Sequence, residues 1–306
     1  MMTECTLCPR RCGVDRTAAR GACGAPAALR VSRVSRHMYE EPPISGTRGS
    51  GTVFFSGCSL SCLFCQNREL SRDCLGEDVT PAELASLFLR LRDAGVHNVN
   101  LVTPTHYTDR ICEALAMVKG ELGIPVVWNC GGYELPETLE LTRGLVDIYM
   151  PDFKYVSPEL AEKFSAAPDY ADRAAEALRF MVELLGPVEL DGDGLMTRGV
   201  LVRHLVLPGC RRDSIAVLRK IAETVPVSEI LLGLMSQYTP DFYVPEPARG
   251  LTAAEDRALS RRVTTYEYET VRAEALRLGF DGFMQSPHSA TTAFTPHFTE
   301  KLTVDL

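Results

Sequence analysis

The sequence lacks several features by which proteins are often classified. No stretch of 18 or more apolar residues appears, so no transmembrane helix is expected. The first five residues have neither the basic start nor the apolar core of a secretory signal. Basic residues are not in excess, because 32 Lys and Arg residues stand against 40 Asp and Glu residues and the net charge is -8. We therefore expect a cytoplasmic protein whose main partner is neither a membrane nor a nucleic acid.

A glycine-rich dinucleotide-binding fingerprint is also missing from a chain that otherwise alternates strands and helices. The predicted strands are Thr52–Ser56, Asn98–Thr103, Pro125–Asn129, Val146–Met150, Gly199–Leu205 and Glu229–Met235. The predicted helices begin after the capping sequence Thr80-Pro81-Ala82-Glu83 and then cover Asp109–Leu122, Pro136–Arg143, Tyr170–Leu185 and Asp213–Val225. Since strands that alternate with helices form parallel sheets, we predict an α/β fold, a partial (β/α)6 barrel of the TIM type.

Two segments outside this pattern define the expected domain organisation. Residues 1–50 form a cysteine-rich N-terminal extension with little periodicity. Residues 51–240 form the barrel, and residues 241–306 form a C-terminal helical extension packed on it. Within the last segment, Thr252-Ala253-Ala254-Glu255 predicts the start of one long helix, and Phe280–Ser286 predicts a final strand.

Cysteine, in contrast, is abundant, and three cysteines follow the first predicted strand. Cys58, Cys62 and Cys65 have the spacing C-x3-C-x2-C, and no fourth cysteine follows at ligand spacing. A tetrahedral zinc site or a closed iron-sulfur cluster needs four donors, so three thiolates leave one metal position open. The alternatives are a zinc knuckle that recruits Cys74 as a fourth ligand, or buried thiols without a metal.

The residues around these cysteines make the loop similar to a known signature. Phe64 occupies the aromatic position before the third cysteine, and Gln66-Asn67 follow it. The loop resembles that of the radical S-adenosylmethionine (SAM) superfamily. The resemblance implies a 4Fe-4S cluster on Cys58, Cys62 and Cys65 whose open iron binds SAM, reductive cleavage of SAM, and a 5′-deoxyadenosyl radical that abstracts hydrogen from a substrate.

Four further runs resemble one branch of that superfamily, the uncharacterised proteins similar to pyruvate formate-lyase-activating enzyme. These runs cover residues 5–12, 41–46, 147–154 and 203–209. The resemblance implies an oxidoreductase that works without oxygen and takes its electron from a donor such as flavodoxin or ferredoxin. Two substrate classes stay open, a protein that carries a glycyl radical and a small metabolite.

Polar residues at the ends of later strands are candidates for binding the cofactor. Asp152 and Lys154 are two residues apart and so lie on one face of a strand, where they could bind the zwitterionic methionine end of SAM or its ribose. An ordinary surface salt bridge is the alternative. Activating enzymes carry an acid-x-lysine pair on this strand, so the resemblance favours cofactor binding. Arg203 and His204 face opposite sides of the fifth predicted strand, and the resemblance favours His204; a buried core histidine is the alternative.

Two more candidates lie on other strands of the predicted barrel. Asn129 ends the third predicted strand and is a candidate for the adenine or ribose. The Gly-Gly-Glu run that most family members carry after the second strand is replaced by a Thr-Pro-Thr-His-Tyr run that starts at Thr103. Thr103, Thr105 or His106 therefore either take over the contact to the SAM amino group or face the substrate. The loop Met235–Pro240, after the last predicted strand, is a candidate for substrate contacts.

A second group of cysteines lies near the N-terminus. Cys5, Cys8, Cys12 and Cys23 have the spacing C-x2-C-x3-C-x10-C in a segment without an apolar core. Four thiolates favour a closed metal site, with zinc and a second iron-sulfur cluster both compatible, whereas a reduced, disordered tail is the alternative. The alternative to an enzyme is a non-catalytic interaction protein in which both cysteine groups bind zinc and are structural.

Overall fold

A computed structural model describes residues 4–285, 296 and 298–306 of the chain. The strands are β1 (Leu29–His37), β2 (Ser50–Phe55), β3 (Glu77–Val79), β4 (Val99–Val102), β5 (Val126–Cys130), β6 (Ile148–Pro151), β7 (Glu189–Leu190), β8 (Met196–Leu205), β9 (Ile230–Met235), β10 (Gly282–Met284) and β11 (Thr303–Asp305). The helices are α1 (Pro42–Ser45), α2 (Arg68–Ser71), α3 (Pro81–Asp93), α4 (Thr108–Leu122), α5 (Pro136–Leu139), α6 (Pro158–Ser165), α7 (Tyr170–Leu185), α8 (Arg211–Thr224), α9 (Ala253–Leu259) and α10 (Thr265–Leu278).

One curved sheet organises the molecule. Its main path runs β10-β9-β8-β6-β5-β4-β2-β1-β11, and every pair from β2 to β10 is parallel. Strand β1 is antiparallel to β2, and β11 is parallel to β1. All six predicted strands are present, with helices between successive parallel strands. This order of strands and helices confirms the predicted α/β partial barrel. In the described parts of the chain, no helix combines the length and the apolar character needed to cross a bilayer.

Side chains alternate between the two faces of the parallel strands. On β8, Val200 and Val202 belong to the large core between sheet and helices, whereas Leu201 belongs to a smaller cluster that also contains Ile148 and Leu231. The smaller cluster fills the inside of the barrel. Since this alternation continues to the strand ends, every second residue there projects into the open end of the barrel.

The N-terminal segment differs from its prediction. Strand β1 lies within residues 1–50, where little periodicity was expected, and it pairs with β2 along most of its length. A register shift between Val31 and Arg33 interrupts the regular pairing, and three arginines in the strand obscure the pattern of a buried strand. The barrel sheet therefore includes a strand that precedes the expected boundary at residue 50.

The C-terminal segment corrects a second prediction. The single long helix expected from Thr252 is two helices, α9 and α10, and each has its own capping box, at Thr252 with Glu255 and at Thr264 with Glu267. The predicted final strand is present as β10, and its last predicted residue, Ser286, lies outside the described residues. Strand β11 then joins the opposite edge of the sheet beside β1.

Candidate active site

A cavity of about 240 Å³ lies at the carboxyl ends of the parallel strands. This is the end at which barrel folds place their reactive groups, because loops from several strands converge there. Seven of the residues predicted from the sequence line it together: Cys58, Cys62, Cys65, Thr103, Asn129, Asp152 and Lys154. They come from the loops or ends of β2, β4, β5 and β6, so the fold gathers residues that are far apart in the chain.

The cysteine loop begins with a glycine that other residues could not replace. Gly57 has φ +94, and a Cβ there would lie 2.8 Å from the Cβ of Ala25 and 2.9 Å from the carbonyl oxygen of Cys23. The N–H of Cys58 donates a hydrogen bond to that same carbonyl at 3.2 Å. The N-terminal extension therefore packs directly against the start of the loop, at a distance that only glycine permits.

Two further contacts hold the loop from either side. The ring of His106 is buried, and its Nε2 donates to the carbonyl of Ser56 at 2.8 Å. Burial lowers the pKa of His106 to about 3, so the ring is neutral near pH 7. Arg10 donates from Nε to the carbonyl of Ser59 at 2.8 Å. The backbone on both sides of Cys58 is thus fixed by side chains from other segments.

Cys58 and Cys65 are weaker acids than ordinary cysteines. Burial raises the pKa of Cys58 and of Cys65, and neighbouring cysteines raise it further, while the charge of Lys154 acts in the opposite direction. An iron ion bound to a thiol removes its proton outright, so the buried thiols suit metal ligands rather than free nucleophiles.

The donor set suits an iron-sulfur cluster with one open position. Cys58, Cys62 and Cys65 line one cavity, and thiolates are the ligands that such clusters use. Within the described residues, no three His, Cys, Asp or Glu side chains are already placed to hold one metal ion. Cys130 also lines the cavity, but the charges that act on it come from Glu134 and Asp152 rather than from the other thiols.

Four charged side chains line the cavity as a network that we call the charged wall: Glu40, Asp152, Lys154 and Arg203. Lys154 Nζ donates to Asp152 Oδ2 at 2.5 Å, and Arg203 Nη2 lies 3.0 Å from Asp152 Oδ1. Arg203 also donates to Asn129 Oδ1 at 2.7 Å and to Glu40 Oε2 at 3.5 Å. Two cations and two anions therefore meet here, beside an amide group.

These charges persist over a wide pH range. Burial alone would raise the pKa of Asp152, but the positive charges of Lys154 and Arg203 outweigh it and hold the pKa below its ordinary value. Burial alone would lower the pKa of Lys154, but the charges of Asp152 and Cys62 raise it above its ordinary value. Both groups are ionised near neutral pH, as the recognition of a zwitterion requires.

Arg203, rather than the predicted His204, faces the cavity. Arg203 is a lining residue, whereas the His204 ring is buried on the other face of β8 and donates from Nδ1 to the carbonyl of Phe153 at 2.7 Å. Burial lowers the pKa of His204 to about 4, so it carries no charge near pH 7. The geometry therefore favours Arg203 over His204 for contact with a ligand in this cavity, and the cofactor role predicted for His204 stays a prediction.

Of the three candidates after β4, only Thr103 reaches the cavity. It adopts φ +60, an uncommon conformation for a β-branched residue. Thr105 is buried and donates to Glu134 Oε1 at 2.6 Å, and His106 supports the cysteine loop as described above. Burial raises the pKa of Glu134 to about 8, so this carboxyl is largely protonated at pH 7.

Two charged lining residues, Arg203 and Glu40, were not chosen from the sequence. Asp152 and Arg203 are bridge partners on neighbouring parallel strands, and such partners share a face of the sheet. The register that pairs them is not visible in the sequence of either strand, so it could not decide between Arg203 and His204. Glu40 follows β1, a strand that the sequence did not reveal, and so carried no signal either.

The N-terminal cysteines lie near one another. Cys8 and Cys23 are buried, Cys5 and Cys12 partly exposed, and their charges act on one another. Burial raises the pKa of Cys8 to about 12. A hydrogen bond from Gly13 N–H to the Cys5 carbonyl, at 3.1 Å, closes the loop that carries three of them. The described residues contain no preformed single-ion cage here either.

Comparisons with known proteins show which family the chain is similar to. The family model described as Radical SAM superfamily matches residues 52–229. The chain is 29% identical over 291 residues to the uncharacterized protein MJ0674 of Methanocaldococcus jannaschii, which covers 91% of this chain and 76% of that protein. The family match contains the cysteine loop and the strands β4 to β8, and it covers more than half of the chain.

Solved structures with a similar fold were also found. SuiB of Streptococcus suis bound to the precursor peptide SuiA has a TM-score of 0.49 and 15% identity, covering 84% of this chain and 49% of that one. Methylornithine synthase PylB has a TM-score of 0.47 and 19% identity, covering 80% of this chain and 68% of that one. This chain therefore spans about half the length of SuiB.

Proposed function

We propose, since the chain belongs to the radical SAM superfamily, that it holds a 4Fe-4S cluster on Cys58, Cys62 and Cys65 and abstracts hydrogen from a substrate. When bound, the cluster supplies one electron for the cleavage of SAM to methionine and a 5′-deoxyadenosyl radical. The observation that supports this best is the common cavity, because three cysteines of one loop and the charged side chains all line it.

We assign the charged wall to the methionine end of SAM. Lys154 or Arg203 would bind its carboxylate, and Asp152 or Glu40 its amino group, because each charge of the zwitterion then meets an opposite partner that is only partly exposed to water. Asn129 and Thr103 offer uncharged polar atoms on the same cavity and suit the ribose or adenine. These residues bind and orient the cofactor, and the cavity walls restrict water around the radical.

The substrate would enter beside the loop after β9. Gln237 and Thr239 line the cavity, and Tyr238 packs edge-on against Phe64 of the cysteine loop, with ring centroids 5.8 Å apart. We therefore propose that this loop contacts the substrate, which is either a protein that receives a glycyl radical or a small metabolite. A flavodoxin or ferredoxin would supply the electron.

Formation of 5′-deoxyadenosine tests the proposed function. The protein is reconstituted with iron and sulfide without oxygen and then given SAM and dithionite. We expect product from the wild type and from Cys112→Ala, a matched control on α4 outside the cavity, but none from Cys58→Ala. Equal product from Cys58→Ala and the control would refute the assignment of the cluster.

We also propose that Cys5, Cys8, Cys12 and Cys23 bind a second metal, either zinc or an iron-sulfur cluster. Their proximity and the burial of two thiols in a segment with little apolar core support this. Metal analysis of Cys8→Ser should show the loss of zinc, or of the iron beyond one cluster, with the Cys58 site still loaded. Unchanged metal content would refute the second site.

A further inference from the structure

The thiol of Cys62 has a hydrogen-bond partner from a distant part of the chain. Ser165, the last residue of α6, is fully buried, and its Oγ lies 3.0 Å from Cys62 Sγ. The hydroxyl of Tyr155, itself buried, lies 2.9 Å from the same Ser165 Oγ. Three side chains therefore form a continuous chain of contacts that ends on a cysteine of the loop.

The direction of these hydrogen bonds is determined once Cys62 is a ligand. A cysteine bound to iron is a thiolate and has no proton to donate, so the hydroxyl of Ser165 must donate to the sulfur. The lone pairs of Ser165 Oγ can then accept from the hydroxyl of Tyr155. The relay runs from Tyr155 to Ser165 to Cys62, and bonds to an ionised acceptor are about twice as strong as neutral ones.

The other two sulfurs have weaker donors. Cys65 Sγ accepts from Ser71 Oγ at 3.4 Å, but that hydroxyl lies equally near the carbonyl of Arg68, so its single proton is shared. Cys58 Sγ lies 3.4 Å from the N–H of Leu60 on the same loop. Ser165 therefore lies closer to its sulfur than Ser71 and Leu60 lie to theirs.

We propose that Ser165, oriented by Tyr155, tunes the reduction potential of the cluster through Cys62, an inference that rests on the proposed function. Reduction adds one electron, given by dithionite or the donor protein, and no bond between protein atoms forms or breaks. Because the reduced cluster is more negative, a hydrogen bond to its sulfur stabilises it more than the oxidised cluster and raises the potential.

Potentiometric titration of the reconstituted holoprotein tests this inference. The reduced fraction is followed by electron paramagnetic resonance at set potentials. Ser165→Ala should lower the ratio of reduced to oxidised cluster about tenfold at a fixed potential, which corresponds to a midpoint about 59 mV lower for one electron. Tyr155→Phe, which keeps the serine, should lower it about threefold. Ser35→Ala is the matched control, because this buried serine bonds Thr52 away from the cavity and should change nothing.

Each outcome has a defined meaning. The relay is supported if the midpoint potential is lowest in Ser165→Ala, intermediate in Tyr155→Phe and unchanged in Ser35→Ala. Equal potentials in Ser165→Ala and Ser35→Ala overturn it. If Ser165→Ala does not retain the cluster, Tyr155→Phe decides, and an unchanged potential there overturns the inference. A wild-type protein without any cluster would instead refute the proposed function, so the two failures are distinguishable.

Discussion

Two adjacent residues on β8 offer the sharpest comparison in the cofactor site. Arg203 faces the cavity, whereas His204 faces the core between sheet and helices. We predict that Arg203→Met weakens SAM binding strongly and that His204→Asn does not. Asparagine keeps a donor for the Phe153 carbonyl, so the His204 variant tests the position of the side chain rather than the loss of its hydrogen bond.

The expected loss of SAM affinity in Arg203→Met follows from the contacts of the Arg203 side chain. Its guanidinium bonds Asp152 and Asn129 at 2.7 to 3.1 Å, and its side chain is only 15% exposed, so water screens these bonds little. A hydrogen bond to a charged group contributes about 1.5 to 3 kcal/mol, which corresponds to a SAM dissociation constant about 10 to 150 times larger. Asp152 keeps Lys154 as a partner, so the stability of the fold should fall by only about 2 to 3 kcal/mol.

Isothermal titration calorimetry of SAM with the reconstituted protein measures the difference. His204→Asn should bind SAM within about twofold of the wild type, and urea unfolding should show that both variants are folded at the assay temperature. If His204→Asn abolished SAM binding while folded and Arg203→Met bound normally, our assignment of the two faces of β8 would be wrong.

Three further predictions concern the surroundings of the site. Burial raises the pKa of Glu134 to about 8, so the folded chain holds a proton that the unfolded chain releases near 4.5, and stability is lost as the pH rises between these values. Urea unfolding at several pH values gives the slope of the free energy of unfolding against pH, to which one such group contributes at most about 1.4 kcal/mol per pH unit. Glu134→Gln should reduce this slope, and an unchanged slope would exclude Glu134 as its source. Ala166 follows α6 in the left-handed conformation, with φ +53, which glycine adopts more easily than alanine. Ala166→Gly should therefore raise the free energy of unfolding by about 0.5 to 1 kcal/mol, and a loss of stability would contradict the left-handed conformation of this residue. A Cβ on Gly132 would lie 2.0 Å from the Asp152 carbonyl oxygen, so Gly132→Ala should reduce both stability and SAM affinity. Gly123→Ala is the control, because Gly123 shares the positive φ but its Cβ would meet nothing closer than 3.9 Å. That variant should lower the free energy of unfolding by only about 1 kcal/mol. Equal losses of stability in the two glycine variants would refute the close approach of Gly132 to the Asp152 carbonyl.

Local sequence patterns predicted much of the barrel. The capping box before α3 is formed as expected, with Glu83 N–H donating to Thr80 Oγ1 at 3.2 Å and Thr80 N–H to Glu83 Oε2 at 2.7 Å. The six parallel strands appear because each is a short apolar segment between helices. The cysteine spacing also led to the loop that the family match now contains.

Features that depend on distant parts of the chain were not predictable in the same way. The direction of Arg203 depends on the register of β8 against β6, and Ser165 meets Cys62 across 103 residues. The break between α9 and α10 did leave a local signal, because Thr264 and Glu267 repeat the capping pattern of Thr252 within what was expected to be one helix.

The most direct test of the account is the electron paramagnetic resonance spectrum of the anaerobically reconstituted, dithionite-reduced protein with and without SAM. We predict the signal of a reduced 4Fe-4S cluster that is absent from Cys58→Ala and that changes when SAM is added, because one iron has no cysteine ligand. A colourless zinc protein, or a cluster whose spectrum is identical with and without SAM, would contradict the claim that the three cysteines leave an iron open to SAM.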